Sequence, residues 1–224
     1  MLKKNINFLI ARQAKTLWTS FSENIESSYI KMNKTRLEAF SDGVLAIIVT
    51  IMVLEMKAPH GSEWENLFAL APKFLSYLFS FIMVWIYWNN HHHLFQSVKK
   101  VNGKVLLANG FLLFCLSLQP FVTAWMGENH FARNTVVLMA IILLLSAIAY
   151  TVLLFALIQL NGKESILGKA IANDKDKKGK ISTLGYVIAI PLAYVNPFIS
   201  CGIFVIVAIM WLIPDKRIEK AMKE

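Results

Sequence analysis

The sequence predicts an all-α integral membrane protein with six transmembrane helices. Three observations carry that prediction. Of the 224 residues, 56% are hydrophobic and only 17% are charged, with a mean hydropathy of +0.53. That is more apolar surface than a soluble domain of this size needs to bury. The charges cluster between long apolar runs rather than inside them. The basic residues fall on one side of a six-span arrangement, as the rule for membrane topology requires.

The spans follow in order. Residues 1–34 read as a cytoplasmic segment, amphipathic or flexible, with Ile10, Ala14, Leu17, Trp18, Phe21 and Ile25 at helical spacing. It has no signal-peptide pattern, because Arg12 interrupts a short apolar stretch and no small-residue cleavage site follows. Thr35-Arg36-Leu37-Glu38 reads as a capping box opening the first span, about 36–56. At 1.5 Å per residue that span is roughly 31 Å long, enough to cross a bilayer. The second span begins near Pro72 and runs to about Phe95. The third covers about Val105–Met126 with a kink at Pro120, and the fourth about Asn134–Leu160. The fifth, about Ile181–Tyr194, and the sixth, about Phe198–Ile213, are separated by Asn196-Pro197 and form a tight hairpin. Residues 35–213 are thus one six-helix membrane domain, and 214–224 a basic cytoplasmic tail.

Charge sets the expected orientation. Lysines and arginines crowd the stretch before span 1, the 2–3 and 4–5 loops and the C-terminal tail, whereas Lys57, Lys73 and Arg133 fall on the other side. Both termini are therefore expected in the cytoplasm of a multi-pass cell-membrane protein. The net charge of +9 then serves anionic lipid headgroups, and no nucleic-acid partner is needed to explain it. Cys115 and Cys201 lie singly in apolar runs and suggest no disulfide framework.

Span 1 carries most of the unusual chemistry. Ionisable groups within or near a span are costly and usually face protein or water, as Asp42 and Glu55 must. At 100° per residue, Gly43, Ile47, Thr50, Ile51 and Leu54 form one stripe within roughly 80°. Asp42 points about 140° away from Ile47. Two readings of the stripe stay open on spacing alone: a face packed against another helix, or a face lining a water path. Span 2 ends in Asn89-Asn90-His91-His92-His93. Three consecutive histidines spread over about 200° of a helix and cannot all ligate one ion, so no metal or other cofactor is expected there. No hydrolase, nucleotide-loop or zinc-protease motif occurs, and no enzymatic activity is expected. A potassium-filter loop of the TVGYG kind and a voltage-sensing arginine repeat are also missing.

Arg36-xxx-Phe40-Ser41-Asp42, followed by Gly43-Val44-Leu45-Ala46-Ile47-Ile48-Val49-Thr50, resembles the signature of the transmembrane-protein-175 family of potassium channels, its short prokaryotic members in particular. Tyr87–Phe95 and Leu118-Gln119-Pro120-Phe121 are similar to further stretches of that family. The resemblance implies a homotetramer in which the first helix of each subunit lines a central pore. It assigns the constriction and selectivity layers to Ile47, Thr50, Ile51 and Leu54. K+, the permeant ion, would pause transiently near Thr50. It also implies a structural polar network of Arg36, Phe40, Ser41 and Asp42, joined by Asn89, His91, His92 and His93. The expected activity is weakly to moderately K+-selective cation permeation. The expected partners are the bilayer, monovalent cations and three further copies of the chain. The alternative is an ion- or proton-coupled secondary transporter using Asp42, Glu55 and the histidines as relay groups. It lacks support from an inverted repeat or a helix broken at mid-membrane.

Overall fold

A computed structural model describes residues 34–172 and 177–212 of the chain, and their secondary structure is all helix and connecting loops, with no strand among them. The helices are α1 (Lys34–Leu54), α2 (Trp64–Phe68), α3 (Ala71–Gln96), α4 (Gly103–Ser117), α5 (Gln119–Glu128), α6 (Arg133–Asn161), α7 (Ile166–Ala172), α8 (Lys177–Val195) and α9 (Pro197–Leu212). The amphipathic segment expected within residues 1–33 and the basic tail expected at 214–224 lie outside the described residues. By length and composition, α1, the α4–α5 pair and α6 can each cross a membrane, and α9 is a shorter apolar helix. With an apolar content this high, the protein is a multi-pass membrane protein.

Local chemistry explains where the observed boundaries differ from the expected ones. The helix is already formed at Lys34, so Thr35 sits inside α1 rather than capping it. Glu38 lies 3.8 Å from the Lys34 ammonium, an i,i+4 pair, where the sequence had suggested a capping box. Lys34 Nζ also donates to the carbonyl of Val98 at 3.0 Å and ties the start of α1 to the loop after α3. At the expected kink near Pro120 the helix is interrupted by one residue: α4 ends at Ser117, α5 starts at Gln119, and Leu118 between them keeps helical dihedrals. Proline lacks the N–H that would continue the ladder, and its ring clashes with the preceding turn. The short helices α2 and α7 carry no periodic apolar run, which is why sequence spacing did not show them.

Two apolar cores organise the bundle. One joins α1, α3, α4 and α6 around Leu45, Ile48, Phe95, Leu112, Leu116 and Leu153. The other joins α3, α5, α6, α8 and α9 around Met83, Met126, Leu143, Tyr186 and Phe204. The 29-residue α6 belongs to both and packs on α4, α5, α8 and α9. By contrast, α1 lies at the side of the bundle, against α3, α4 and α5. Near the opposite end, α3 and α5 approach so closely that a Cβ on Gly127 would sit 2.8 Å from the Lys73 backbone. Only glycine fits that crossing, and it brings Lys73 within 3.0 Å of Glu128.

The loop between α3 and α4 is also held from α6. Asn161, the last residue of α6, accepts from the backbone N–H groups of Lys99 and Lys100 at 3.2 and 3.1 Å and donates to the Lys100 carbonyl at 3.1 Å. Asn161→Ala frees all three backbone groups. Because the site is exposed, water replaces part of the loss, and the expected cost is about 1 kcal/mol. Thermal unfolding of the purified protein should show it as a melting temperature lower by about 2–4 °C.

Candidate functional site

The two long faces of α1 have different environments. Leu37, Ser41, Leu45, Ile48 and Met52 recur at i, i+4, i+8, i+11 and i+15, and all are buried. This stripe faces the rest of the subunit. On the other side, Phe40, Ile47, Ile51 and Leu54 are 64%, 59%, 41% and 70% exposed. Thr50 is exposed on the same side, and a Cβ added at Gly43 would meet nothing within 4 Å. The stripe Gly43–Ile47–Thr50–Ile51–Leu54 is therefore the least covered face of α1 among the described residues. Thr50 Oγ1 donates to the Ala46 carbonyl at 2.9 Å. Its one hydrogen is thus occupied, and its oxygen lone pairs point outward as acceptors.

Behind the buried stripe runs a directed chain of hydrogen bonds. Ser41 Oγ donates to the Leu37 carbonyl at 2.8 Å. Because that uses its only hydrogen, it can only accept from Asn109 Nδ2, 2.9 Å away. The Asn109 carboxamide oxygen then faces His91 Nε2 at 2.7 Å. That geometry puts a proton on Nε2 and fixes the tautomer. Ser41, Asn109 and His91 are 0%, 1% and 2% exposed, and they link α1, α4 and α3. The His91 ring also packs on Phe95, with centroids 4.5 Å apart.

A second polar contact flanks the first. Trp88 Nε1 donates to Asp42 Oδ1 at 2.9 Å. The indole stacks on His92, 5.8 Å between centroids, and His92 Nε2 lies 2.8 Å from the Gln96 carboxamide nitrogen. No histidine hydrogen-bonds Asp42; the tryptophan stands between them. At the C-terminal end of α1, Ile51 and Glu55 border a cavity of about 430 Å³ shared with Ser117, Phe121, Trp125 and Glu128.

Of the residues assigned to the polar network, the structure joins Ser41 to His91 through Asn109, and Asp42 to His92 through Trp88. Arg36 and the exposed Phe40 have no ion pair or hydrogen bond among the described residues. Asn89 is half-buried with no hydrogen bond there. His93 touches His92 edge-on at 5.9 Å, and its Nδ1 is buried without a partner. Asn109 was missed in the sequence, although a polar side chain amid Val105-Leu106-Leu107-Ala108 and Phe111-Leu112-Leu113 is itself a signal of an interhelical contact. Trp88 was passed over as a donor because an indole in a span reads first as an apolar group. No group of three metal-ligating side chains forms among the described residues.

The arrangement is that of a helix anchored on one face by hydrogen bonds and apolar packing, with an apolar, hydroxyl-bearing face left for something outside the subunit. The family model for the endosomal/lysosomal potassium channel TMEM175 matches residues 36–120, which include α1, α3, α4 and both polar anchors. A protein named as a potassium channel from Chryseobacterium sp. is 57% identical over 86% of this chain and 100% of its own. Another, from Chamaesiphon minutus, is 32% identical over 78% of this chain and 91% of its own. The crystal structure of a lysosomal potassium-selective channel TMEM175 homolog from Chamaesiphon minutus superposes with a TM-score of 0.70 at 29% identity, covering 81% of this chain and 97% of that one. The chain belongs to the TMEM175 family.

Removing the Asp42 carboxylate tests its role. Asp42→Ala takes away the acceptor of the Trp88 indole and frees the stacked pair behind it. The expected result is a smaller assembled fraction on size-exclusion chromatography, with an unchanged K+/Na+ reversal potential in what remains assembled. A stable assembly with altered selectivity would instead put Asp42 in the ion path.

Proposed function

We propose that four copies of the chain assemble around α1 into a K+-permeable cation channel of the cell membrane, with six membrane-crossing helices per subunit and both termini cytoplasmic. The observation that carries this reading is the bare face of α1: Ile47, Thr50, Ile51 and Leu54 project from a helix whose opposite face is fully packed. The relatives named as potassium channels support the choice of ion.

Four Ile47 side chains around an axis form a narrow apolar neck that disfavours water. An ion crossing it sheds part of its hydration shell, and K+ holds that shell less tightly than Na+. Thr50, one turn further along the same face, offers four outward-facing hydroxyl oxygens that compensate part of the loss, and K+ pauses there. Few oxygens are available, so the K+ preference is weak to moderate. Ile51 and Leu54 continue the apolar lining. Ser41, Asn109 and His91 touch no ion. They hold the back of α1 so that the neck keeps one diameter.

Purified protein reconstituted into K+-loaded liposomes tests the activity. The expected result is K+ efflux that needs no counter-gradient and follows the imposed potential. Efflux strictly coupled to proton entry would overturn the channel reading in favour of a coupled transporter.

A further inference from the structure

A cavity of about 40 Å³ lies away from α1, where α3, α6, α8 and α9 meet. Tyr186 of α8 lines it and is 2% exposed, yet its hydroxyl has no hydrogen-bond partner among the described residues. Two further groups line the same cavity, the half-buried Tyr87 and the buried Asn90. Tyr87 makes no hydrogen bond there, and Asn90, 7% exposed, uses its carboxamide nitrogen on the Ile86 carbonyl and leaves its oxygen without a donor. Neighbouring side chains make their hydrogen bonds elsewhere among the described residues. Ser182 Oγ already accepts from Trp211 Nε1 at 2.7 Å and donates to the Lys178 carbonyl at 2.8 Å. The Thr151 hydroxyl hydrogen is used on the Ala147 carbonyl at 2.8 Å.

We infer that this cavity is a built hydration site, holding a small cluster of waters that bridges the Tyr186 and Tyr87 hydroxyls to the Asn90 carboxamide oxygen. The size fits. A water needs about 10–15 Å³ of such space, so the cavity takes roughly three or four. The chemistry fits as well: an apolar occupant would leave the Tyr186 and Tyr87 hydroxyls and the Asn90 oxygen unpaired, and Tyr186 and Asn90 are buried residues, where folded proteins rarely tolerate that. A water with two to four polar partners satisfies them at little cost in immobilisation. The position gives the site a consequence. Asn90 precedes His91, the end of the chain that anchors α1, and the Tyr150 hydroxyl reaches the Asn90 carbonyl at 3.4 Å. The waters thus tie α8 to the α3 turn on which that chain rests, beside the direct contact from Tyr150 of α6.

The test uses Tyr186→Phe in the purified full-length assembly, since this change removes one oxygen and leaves the ring packing intact. If water bridges the hydroxyl, the variant loses a satisfied hydrogen bond and its melting temperature falls by about 2–4 °C. If the cavity is dry, the variant only removes an unpaired hydroxyl, and the melting temperature stays or rises; that outcome overturns the proposal. A high-resolution experimental map of the wild-type assembly provides a second readout. Solvent density within hydrogen-bonding distance of Tyr186 Oη is expected, and an empty cavity or an acyl chain in it refutes the inference.

Discussion

Ile47→Asn is expected to produce larger single-channel currents and poorer discrimination between K+ and Na+. Ile47 is 59% exposed on the bare face of α1 and has β-branched bulk. Four such side chains around an axis leave little room, and none can hydrogen-bond water. Asparagine is smaller and carries a donor and two acceptor sites, so the neck both widens and wets. Each 1.4 kcal/mol taken from the crossing barrier raises the rate about tenfold. Part of that range is within reach of one ring of side chains, so the expected gain is several-fold. Selectivity falls because the neck no longer forces partial dehydration, which is where K+ has its advantage. Patch recording of reconstituted protein under bi-ionic K+/Na+ conditions gives both numbers. Unchanged conductance and reversal potential would remove Ile47 from the constriction.

Asn109→Leu should destabilise the protein and its assembly without directly touching permeation. The change keeps the number and branching of the side-chain heavy atoms and adds some bulk, so no cavity opens. It deletes the middle of the chain from His91 to Leu37, leaving the His91 Nε2–H without an acceptor and the Ser41 hydroxyl without its donor. Both groups are almost wholly buried, and water cannot replace the lost partner. Unpaired buried groups cost about 1–3 kcal/mol each in water-soluble proteins. Hydrogen bonds between membrane helices average lower, about 0.6 kcal/mol, because the dissociated helices find other partners. Here the groups stay enclosed by their own bundle, so about 1–3 kcal/mol in total is expected. The melting temperature should drop by roughly 3–8 °C. Ser41→Ala, which removes an end of the chain rather than its middle, should cost less. An Asn109→Leu protein as stable as the original would mean that α1 is held by apolar packing alone.

These two residues mark what the sequence could and could not tell. The helices were legible because lipid demands long apolar runs, and the break at Pro120 because proline forbids the next hydrogen bond. The Ile47 stripe was legible as a stripe. Its environment was not: Leu37, Leu45, Ile48 and Met52 on the packed side are as apolar as Ile47, Ile51 and Leu54 on the bare side. Composition cannot separate a helix face buried in its own subunit from one turned outward; only the placement of α3, α4 and α5 does. The polar anchor was half legible. Ser41 and His91 stood inside recognisable motifs, whereas Asn109 stood alone in an apolar run, and its partners lie 68 and 18 residues away in sequence. Trp88, between Asp42 and His92, replaced the direct carboxylate–histidine contact that the motifs suggested.

The most direct test of the account is an experimental structure of the assembled protein in a bilayer mimic, with the free radius measured along its symmetry axis. The account predicts four subunits around one axis, the α1 helices closest to it, the narrowest ring at Ile47, and the Thr50 hydroxyl oxygens facing the same lumen. An assembly in which the Ile47–Thr50–Ile51–Leu54 face meets lipid, or packs against a neighbouring subunit away from any axis, would contradict it.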